Sequence, residues 1–287
     1  MNGGKNYMNL EQYDKAVEDY TKAIELDPDD AYAYNNRGSA YRNLEQYDRA
    51  VEDYTKAIEL APDDAAAYNN RGSAYDYLEQ YGRAVEDYTK AIELEPDDAE
   101  AYFYRGSAYD YLEQYDRAVE DYTKAIELDP DYADAYNNRG ITYDDLGQYD
   151  RAVEDYTKAI ELAPDDAEAY YNRGSTYDYL GQYDRAVEDY TKAIELAPDD
   201  AYAYNSRGIT YYNLEQYDRA VEDFTKAIEL DPDDAYAYNN RGSAYRDLEQ
   251  YDKVLEDIIT VIELDPNDKE AIDVREWLLQ EHPELKE

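Results

Sequence analysis

Apolar and small residues recur at helical spacing along almost the whole chain. Within residues 31–64, Tyr34, Gly38, Tyr41 and Leu44 follow an i, i+4, i+7, i+10 pattern that places them on one face of a helix. A second stretch has the same character, and its inward positions are Ala50, Val51, Tyr54, Ala57, Ile58 and Leu60. No segment of the sequence shows the alternation with a period of two that a half-buried strand requires. The pattern therefore predicts two amphipathic helices in this unit and an all-α chain.

Short breaker sequences separate the predicted helices. Residues 45–47 leave room for only a tight turn, so the two helices must pack antiparallel. Pro62 ends the second helix because proline lacks a backbone N–H and its ring clashes with the preceding turn. Asp63 and Asp64 then offer N-cap oxygens and negative charge to the positive end of the next helix. Each unit is thus a helical hairpin.

The unit recurs with a period of 34 residues. Eight prolines mark this period: Pro28, Pro62, Pro96, Pro130, Pro164, Pro198, Pro232 and Pro266. Seven full units span residues 31–268, after an N-terminally truncated unit at residues 1–30 and before a C-terminal segment at residues 269–287. In the truncated unit, Gly4, Tyr7 and Leu10 keep the register of a first helix. Because stacked repeats contact only their neighbours, we expect one continuous body instead of several globular domains.

A fixed set of small and aromatic positions defines the unit. These positions are Ala33, Tyr34, Gly38, Tyr41, Ala50, Tyr54, Ala57 and Pro62. In this set the unit resembles the tetratricopeptide repeat. The resemblance implies a right-handed superhelical solenoid of antiparallel helix pairs, with the first helices lining a concave face. It also implies a non-catalytic scaffold for protein–protein interaction.

Arginine stands at the seventh position of every full unit, from Arg37 to Arg241. Such a row could bind an anion. Its position between the helices argues instead for an internal ion pair with the acid at the twenty-third position, such as Asp53, because a partly buried guanidinium needs a partner. Tyrosine, with 39 copies, replaces much of the usual aliphatic core. We expect the tyrosine rings to lie inside and many of their hydroxyls to reach the surface.

Acidic residues dominate the charge of the chain. The 71 Asp and Glu residues exceed the 28 Lys and Arg residues and give a net charge of -43. Such a field repels nucleic acid and anionic membranes and attracts basic proteins or peptides at low salt. Solubility or adaptation to a salty cytoplasm is the alternative explanation. With no cysteine, no signal peptide and no apolar run of roughly 18 residues, the sequence predicts a soluble cytoplasmic protein.

The sequence offers little for catalysis. His282 is the only histidine, and it lies in a charged tail. There is no glycine-rich phosphate loop and no cluster of histidine with carboxylates. We therefore expect no enzyme activity, no cofactor and no metal.

Differences among the units concentrate at positions that the family places on the concave face. One feature there is a row of asparagines at the sixth position: Asn2, Asn36, Asn70, Asn138, Asn172 and Asn240, interrupted by Tyr104 and Ser206. An asparagine amide can donate and accept hydrogen bonds at once, so the row can hold the backbone of an extended peptide. The row resembles the ladder through which some members of the family bind peptides. Bonding within the solenoid or to water is the alternative.

A second feature is an aromatic and acidic patch in the middle units. The aromatic members are Tyr77, Phe103, Tyr104, Tyr111, Tyr171 and Tyr179, and the acidic members are Asp76, Asp110, Asp144 and Asp178. Rings beside carboxylates suit lysine or arginine side chains, through cation–π contact and ion pairing. The family's carboxylate clamp for peptide C-termini needs inner-face lysines, which are missing here. We therefore expect an extended, basic peptide as the partner.

Two alternatives to peptide binding remain open at this level. The array could form homo-oligomers by stacking end to end through its uncapped N-terminus. It could also be an engineered or model array with no native ligand. At the other end, residues 269–281 predict a closing helix, with Trp277 and Leu278 directed inward.

Overall fold

The structure, a computed structural model, describes Met8 and residues 12–286. Over these residues the regular structure is helical, and each repeat contributes a first and a second helix. The first helices are Ala31–Asn43, Ala65–Tyr77, Ala99–Tyr111, Ala133–Asp145, Ala167–Tyr179, Ala201–Asn213 and Ala235–Asp247. The second helices are Tyr13–Leu26, Tyr47–Leu60, Tyr81–Leu94, Tyr115–Leu128, Tyr149–Leu162, Tyr183–Leu196, Tyr217–Leu230 and Tyr251–Leu264. The helix Lys269–Glu281 and a 3₁₀ turn, Pro283–Lys286, follow. Asn2, Gly4, Tyr7 and Leu10 lie outside the described residues.

Residues 1–147 and 148–287 form two compact units. Within each unit, a first helix packs against the second helix of its own repeat and against the second helix that precedes it in the chain. Small residues allow this close approach: Ala50 and the ring of Tyr54 pack with Ala74 of the next repeat, and all three are fully buried. The predicted all-α architecture of consecutive helix pairs is confirmed.

Side-chain and backbone caps fix the helix ends. The Asp64 carboxylate accepts from the backbone N–H of Ala66, as predicted for the N-cap. The helix Ala31–Asn43, in the preceding repeat, ends in a Schellman-type turn. In this turn Gln46 donates its backbone N–H to the carbonyl of Tyr41. Glu45 takes the left-handed conformation in this turn, with φ of 59°. Glycine occupies the equivalent position in two repeats, as Gly147 and Gly181.

A partly buried arginine links three helices in the typical repeat. Arg37 donates from Nε and Nη2 to the two carboxylate oxygens of Asp53, at 2.7 and 2.8 Å. Its Nη1 donates to the hydroxyl of Thr21 on the preceding second helix, at 3.1 Å. The guanidinium also lies over the rings of Tyr34 and Tyr41, 5.6 and 5.9 Å from their centroids. The predicted internal ion pair is confirmed, and the arginines do not form an anion-binding stripe.

We call this arrangement the arginine fork. Complete forks recur as Arg71–Asp87–Thr55, Arg105–Asp121–Thr89, Arg173–Asp189–Thr157, Arg207–Asp223–Thr191 and Arg241–Asp257–Thr225. Because the threonine always comes from the preceding repeat, each fork joins the two helices of one repeat and also joins that repeat to its neighbour.

The tyrosine at the twenty-fourth position fills the space over a glycine. A Cβ atom at Gly38 would lie 2.7 Å from Cε1 of Tyr54, so only glycine leaves room for the ring. The whole Tyr54 side chain is buried, and its hydroxyl donates to Ser39. The expectation that such hydroxyls reach the surface is therefore wrong at this position. The hydroxyl finds a partner on the first helix, so it does not need water.

The fork gives a stability prediction with an internal control. Replacing Asp87, which is buried, by asparagine leaves the Arg71 guanidinium without a counter-charge and should destabilise the protein by about 3–5 kcal/mol. Glu93 forms an exposed pair with Lys90 one helical turn away, so Glu93→Gln should cost about 0–1 kcal/mol. Urea denaturation followed by circular dichroism measures both. Equal effects would contradict a structural role for the fork.

A second prediction concerns the glycine beneath the aromatic ring. Gly208→Ala places a Cβ about 2.7 Å from Cε1 of Phe224 and should destabilise the protein by about 1–3 kcal/mol. Gly242 is the matched control because Ile258 replaces the ring there, and a Cβ atom at Gly242 would lie 3.7 Å from its nearest neighbour, Cβ of Asp257. Gly242→Ala should be neutral, or stabilising by up to about 1 kcal/mol from helix propensity. Thermal unfolding of the two variants distinguishes ring contact from a general effect of glycine.

Candidate functional site

The exposed aromatic side chains of the described residues lie on the first helices and on Lys269–Glu281. On the first helices they are Tyr32, Tyr77, Tyr104, Tyr111, Tyr179, Tyr202 and Tyr236, with exposed fractions from 40% to 79%. The second helices bury the tyrosine at the twenty-fourth position, such as Tyr54 and Tyr88, and leave the tyrosine that begins each helix, such as Tyr47, half-buried. Within each of the two compact units, residues 1–147 and 148–287, we call the surface formed by the exposed side chains of the first helices the first-helix face. This face is where a partner would meet aromatic rings.

Three of these exposed rings were not among the site residues predicted from the sequence: Tyr32, Tyr202 and Tyr236. All three occupy the second position of their repeats, in the opening turn of the first helix. Tyr202 and Tyr236 are the most exposed tyrosines in the described chain, at 74% and 79%. The signal was available in the sequence, because the second position varies among repeats while most of the unit does not.

Trp277 corrects a prediction about the closing helix. Leu278 is fully buried, as predicted, but Trp277 is 47% exposed. Its side chain borders a groove of about 280 Å³ that is also lined by Tyr236, Asn239 and Arg246. The helix packs against the second helix Tyr251–Leu264 and the 3₁₀ turn Pro283–Lys286, and these contacts leave Trp277 partly uncovered. Trp277 therefore belongs with the exposed aromatic residues.

The asparagine row is half-buried and already makes internal hydrogen bonds. Asn36 donates from Nδ2 to the carbonyl of Tyr32, one turn earlier in its own helix. Asn70 donates to the side-chain oxygen of Asn35 at 3.1 Å, and Asn240 makes the same bond to Asn205. These bonds link the sixth position of one repeat to the fifth position of the preceding one.

Each of these three amides retains bonding capacity. A primary amide has two N–H donors and a carbonyl acceptor, and the bonds described use one donor. Asn138 lies close enough to hydrogen-bond with the hydroxyl of Tyr122, and Asn172 is half-buried. The internal bonds hold the amides in place along the first-helix face. For Asn36, Asn70 and Asn240, the internal bonding that the sequence left as an alternative is therefore present.

The predicted aromatic patch divides between the two compact units. Tyr77, Phe103, Tyr104 and Tyr111 belong to residues 1–147, and Tyr171 and Tyr179 belong to residues 148–287. Tyr77 stacks on Tyr47 of the preceding repeat, with centroids 4.8 Å apart and planes at 5°. Tyr111 stacks on Tyr81 in the same way, at 4.5 Å, and Tyr179 lies 4.5 Å from Tyr149. One face of these rings is therefore used in packing, although each remains largely exposed.

Phe103, Tyr104 and Tyr171 have closer internal neighbours. The Phe103 and Tyr104 centroids are 5.3 Å apart, and Phe103 is half-buried. Tyr171 lies 5.5 Å from Tyr190 and shares a hydrogen bond with the hydroxyl of Ser206. Of the predicted rings, Phe103 and Tyr104 are the pair that the structure brings into direct contact.

The aspartates of the patch face inward more than predicted. Asp76 accepts from the hydroxyl of Tyr88, and Asp110 accepts from the hydroxyls of Tyr122 and Thr142. Asp178 accepts from Thr210 at 2.7 Å, and Asp144 is half-buried. Asp76 and Asp110 therefore use carboxylate oxygens in hydrogen bonds inside the repeat stack. The buried tyrosine hydroxyls of the second helices need acceptors, and these carboxylates supply them.

Burial changes the acidity of these groups. It raises the pKa of Asp76 to about 6, against an opposing effect of the hydrogen bond from Tyr88. It likewise raises the pKa of Asp110 to about 6, against the hydrogen bonds from Thr142 and Tyr122. The neighbouring carboxylate in turn raises the pKa of Tyr88, after burial itself. These carboxyls therefore take up protons near neutral pH more readily than the exposed acids do.

The described part of the chain lacks two other kinds of feature. Within it, no three His, Cys, Asp or Glu side chains group in a way that could hold a metal ion. Of the helices over Met8 and residues 12–286, none is long and apolar enough to cross a bilayer.

The repeat sequence decides the family. A model described as tetratricopeptide repeat matches seven consecutive stretches: residues 31–64, 65–98, 99–132, 133–166, 167–200, 201–234 and 235–268. A second model, described as TPR repeat, matches residues 4–44. The chain belongs to the tetratricopeptide repeat family. The chain matches no curated protein in sequence.

Solved tetratricopeptide repeat proteins resemble this chain in structure. MamA is 32% identical, with 55% of this chain and 93% of MamA covered and a TM-score of 0.53. YrrB, described as a TPR protein with an unusual peptide-binding site, is 31% identical, with 66% of this chain and 97% of YrrB covered and a TM-score of 0.55. A repeat protein from Cytophaga hutchinsonii shares the fold at 22% identity, with 82% of this chain and 97% of that one covered and a TM-score of 0.69. The tetratricopeptide fold of this chain is thus shared with proteins of related sequence.

The two inward aspartates of the tetratricopeptide chain predict an unusual pH dependence. Their folded pKa of about 6 lies above the ordinary value of 3.8, so folding favours the protonated form. This contribution is fully present below pH 3.8 and is lost as pH rises through 6. Stability should therefore increase on going from pH 7.5 to pH 5, on the order of 1–3 kcal/mol per carboxyl.

Matched variants separate this effect from relief of the overall negative charge. Asp76→Asn with Asp110→Asn should flatten the dependence of the urea midpoint on pH between 5 and 7.5. Asp63→Asn with Asp97→Asn removes the same charge from exposed positions and should leave that dependence unchanged. Identical pH profiles for the two double variants would refute the assignment.

Proposed function

We propose that this chain is a non-catalytic interaction scaffold that binds an extended, basic segment of a partner protein along its first-helix faces. The observation that carries this proposal is the location of the exposed aromatic side chains, which lie on the first helices and the closing helix. A scaffold without a partner gains nothing from exposing large rings, and exposed aromatic surface is typical of interaction sites.

The asparagine row supplies the means of holding a peptide backbone. Asn36, Asn70 and Asn240 are oriented by internal bonds and keep one N–H and one carbonyl oxygen each. A backbone amide offers the complementary acceptor and donor, whatever its side chain. Amides repeated at intervals of one unit favour an extended ligand over a folded one. The description of the similar protein YrrB as having a peptide-binding site supports this class of ligand.

The charge of the chain favours a basic partner. A net charge of -43 steers cations toward the protein and repels acidic chains, most strongly at low salt. Exposed acids at the second position of the repeats, such as Glu100 and Asp134, bring this charge onto the first-helix face. The same field disfavours nucleic acid and anionic membranes as partners.

The test compares two sets of amide substitutions in residues 1–147. The probe is a fluorescein-labelled peptide of six Lys-Ala pairs, measured by fluorescence anisotropy at fixed salt, with a Glu-Ala peptide as the negative partner. Asn36→Ala, Asn70→Ala and Asn138→Ala together should weaken binding of the basic peptide about tenfold, because each loses a hydrogen bond of about 0.5–1.5 kcal/mol.

The control removes three amides from the turn edge of the same repeats. Gln46→Ala, Gln80→Ala and Gln114→Ala leave the first helices intact and should leave the affinity unchanged. Helix content, followed by circular dichroism, should be the same in both sets. Equal affinity of the asparagine variant and the native chain would refute the peptide ladder, and a mass that rises with concentration would favour self-assembly instead.

A further inference from the structure

Three residues that depart from the repeat pattern meet at one place in residues 1–147. Phe103 stands at the fifth position, where five of the seven full repeats have asparagine followed by asparagine or serine. Tyr104 interrupts the asparagine row at the sixth position, and Tyr132 replaces the usual aspartate at the thirty-fourth. The Phe103 ring lies 4.9 Å from Tyr132 and 5.3 Å from Tyr104, between centroids. In an array of near-copies, independent departures that contact one another indicate a local requirement.

The preceding repeat shows what these residues replace. There, Asn69 donates from Nδ2 to Oδ2 of Asp98 at 2.9 Å, while Oδ1 of Asp98 caps the next helix. Phe103 and Tyr132 occupy the corresponding positions, so a polar, capping pair has become an aromatic pair. The N-cap at Tyr132 makes no side-chain hydrogen bond. Loss of such a cap typically costs about 1 kcal/mol of stability. Packing a half-exposed ring does not by itself require the loss of the cap.

The aromatic cluster is open to solvent and flanked by acids. Tyr104 is 40% exposed, and Phe103 and Tyr132 are half-buried. Glu100 and Asp134 are exposed at the second positions of this repeat and the next. Glu100 lies one helical turn before Phe103 and Tyr104, and Asp134 follows Tyr132 by two residues at the start of the next helix. Burial raises the pKa of Tyr132, and Tyr104, Glu100 and Asp134 raise it further. Its hydroxyl therefore remains neutral.

One cation of the protein faces the same region. Arg42 is close enough to influence Tyr104 electrostatically, and its Nη1 donates to the hydroxyl of Ser73 at 3.3 Å. It lies on a first helix two repeats earlier. Within residues 12–286, no lysine or arginine makes a cation–π contact with the rings of Phe103, Tyr104 or Tyr132.

We propose that Phe103, Tyr104 and Tyr132, together with Glu100 and Asp134, form a site for one lysine or arginine side chain of the bound peptide. Aromatic faces attract a cation through their quadrupoles, and the flanking carboxylates add ion pairs at the same point. The assignment rests on the proposed peptide-binding function and adds to it a fixed position at which a basic residue is read. The asparagines hold the backbone, and this site sets the register.

The composition of the chain permits a direct measurement. Only two phenylalanines are present, Phe103 in the proposed site and Phe224, which is 1% exposed in residues 148–287. Full-length protein carrying ring-¹³C phenylalanine should therefore give one reporter signal and one internal control. The probes are N-acetyl-lysine amide and N-acetyl-norleucine amide, which differ by the ammonium group. The lysine probe should shift the Phe103 signals saturably and leave Phe224 unchanged, while the norleucine probe binds at least about fivefold more weakly.

Charge variants test the role of the carboxylates with the reporter in place. Glu100→Gln with Asp134→Asn should weaken the lysine probe about fivefold. Asp63→Asn with Asp97→Asn lowers the net charge equally at exposed loop positions and should change the affinity by less than about twofold. Equal weakening by both pairs would overturn the site in favour of general attraction by the acidic chain. So would equal responses of Phe103 to the two probes, or no response.

A reversion to the repeat pattern guards against misfolding. Phe103→Asn, Tyr104→Asn and Tyr132→Asp recreate residues found together in the preceding repeat, including its Asn69–Asp98 bond, so the variant should retain native helix content. It should bind the Lys-Ala peptide about fivefold more weakly, and unchanged affinity would overturn the proposal. A lysine response at Phe103 combined with no effect of the asparagine substitutions would refute the backbone ladder and leave this site standing. Weaker peptide binding after the asparagine substitutions, combined with no lysine response at Phe103, would support the backbone ladder and refute this site.

Discussion

The partly buried guanidinium of the arginine fork, paired with a buried aspartate, is the interaction on which this structure depends. Arg37 satisfies its charge with both oxygens of Asp53, which is 6% exposed, and reaches back to Thr21 of the preceding repeat. A charge removed from water is tolerated only when its partners are complete. One of those partners always belongs to a neighbour, so a repeat is fully satisfied only within the stack. The 34-residue period of the sequence places the required partner at the same position in each neighbouring repeat.

The fork and the ring over glycine together confine the variable residues to one surface. Positions such as Gly38, Asp53 and Tyr54 meet close neighbours on two sides and tolerate little change. The first helices have a side that no second helix covers, and the exposed tyrosines lie there. Packing therefore separates a repeated interior from a first-helix face whose side chains can differ from repeat to repeat.

A tyrosine-rich core has a consequence for that face. A leucine at the twenty-fourth position would need no hydrogen-bond partner, whereas the buried hydroxyls of Tyr88 and Tyr122 need acceptors. Asp76 and Asp110 supply these acceptors, so their carboxylates point inward. Burial raises the pKa of both carboxyls. The acids left for a ligand are others, at the second position, where Glu100 and Asp134 stand beside the departure from the repeat pattern at Phe103 and Tyr132.

The sequence by itself determined the helix pairs, their caps and the Arg37–Asp53 ion pair, because helical periodicity, proline and a 34-residue repeat are local or self-repeating signals. It also indicated which helices carry the variable residues. Only the tertiary structure decided the exposure of particular side chains: Asp76 turns toward Tyr88, Trp277 stays half-exposed, and Phe103 meets Tyr132. Each outcome depends on residues from another helix, often about one repeat away, that cover or leave open the position. A periodic pattern specifies the face on which a side chain lies, and the neighbouring helix determines whether that face remains accessible.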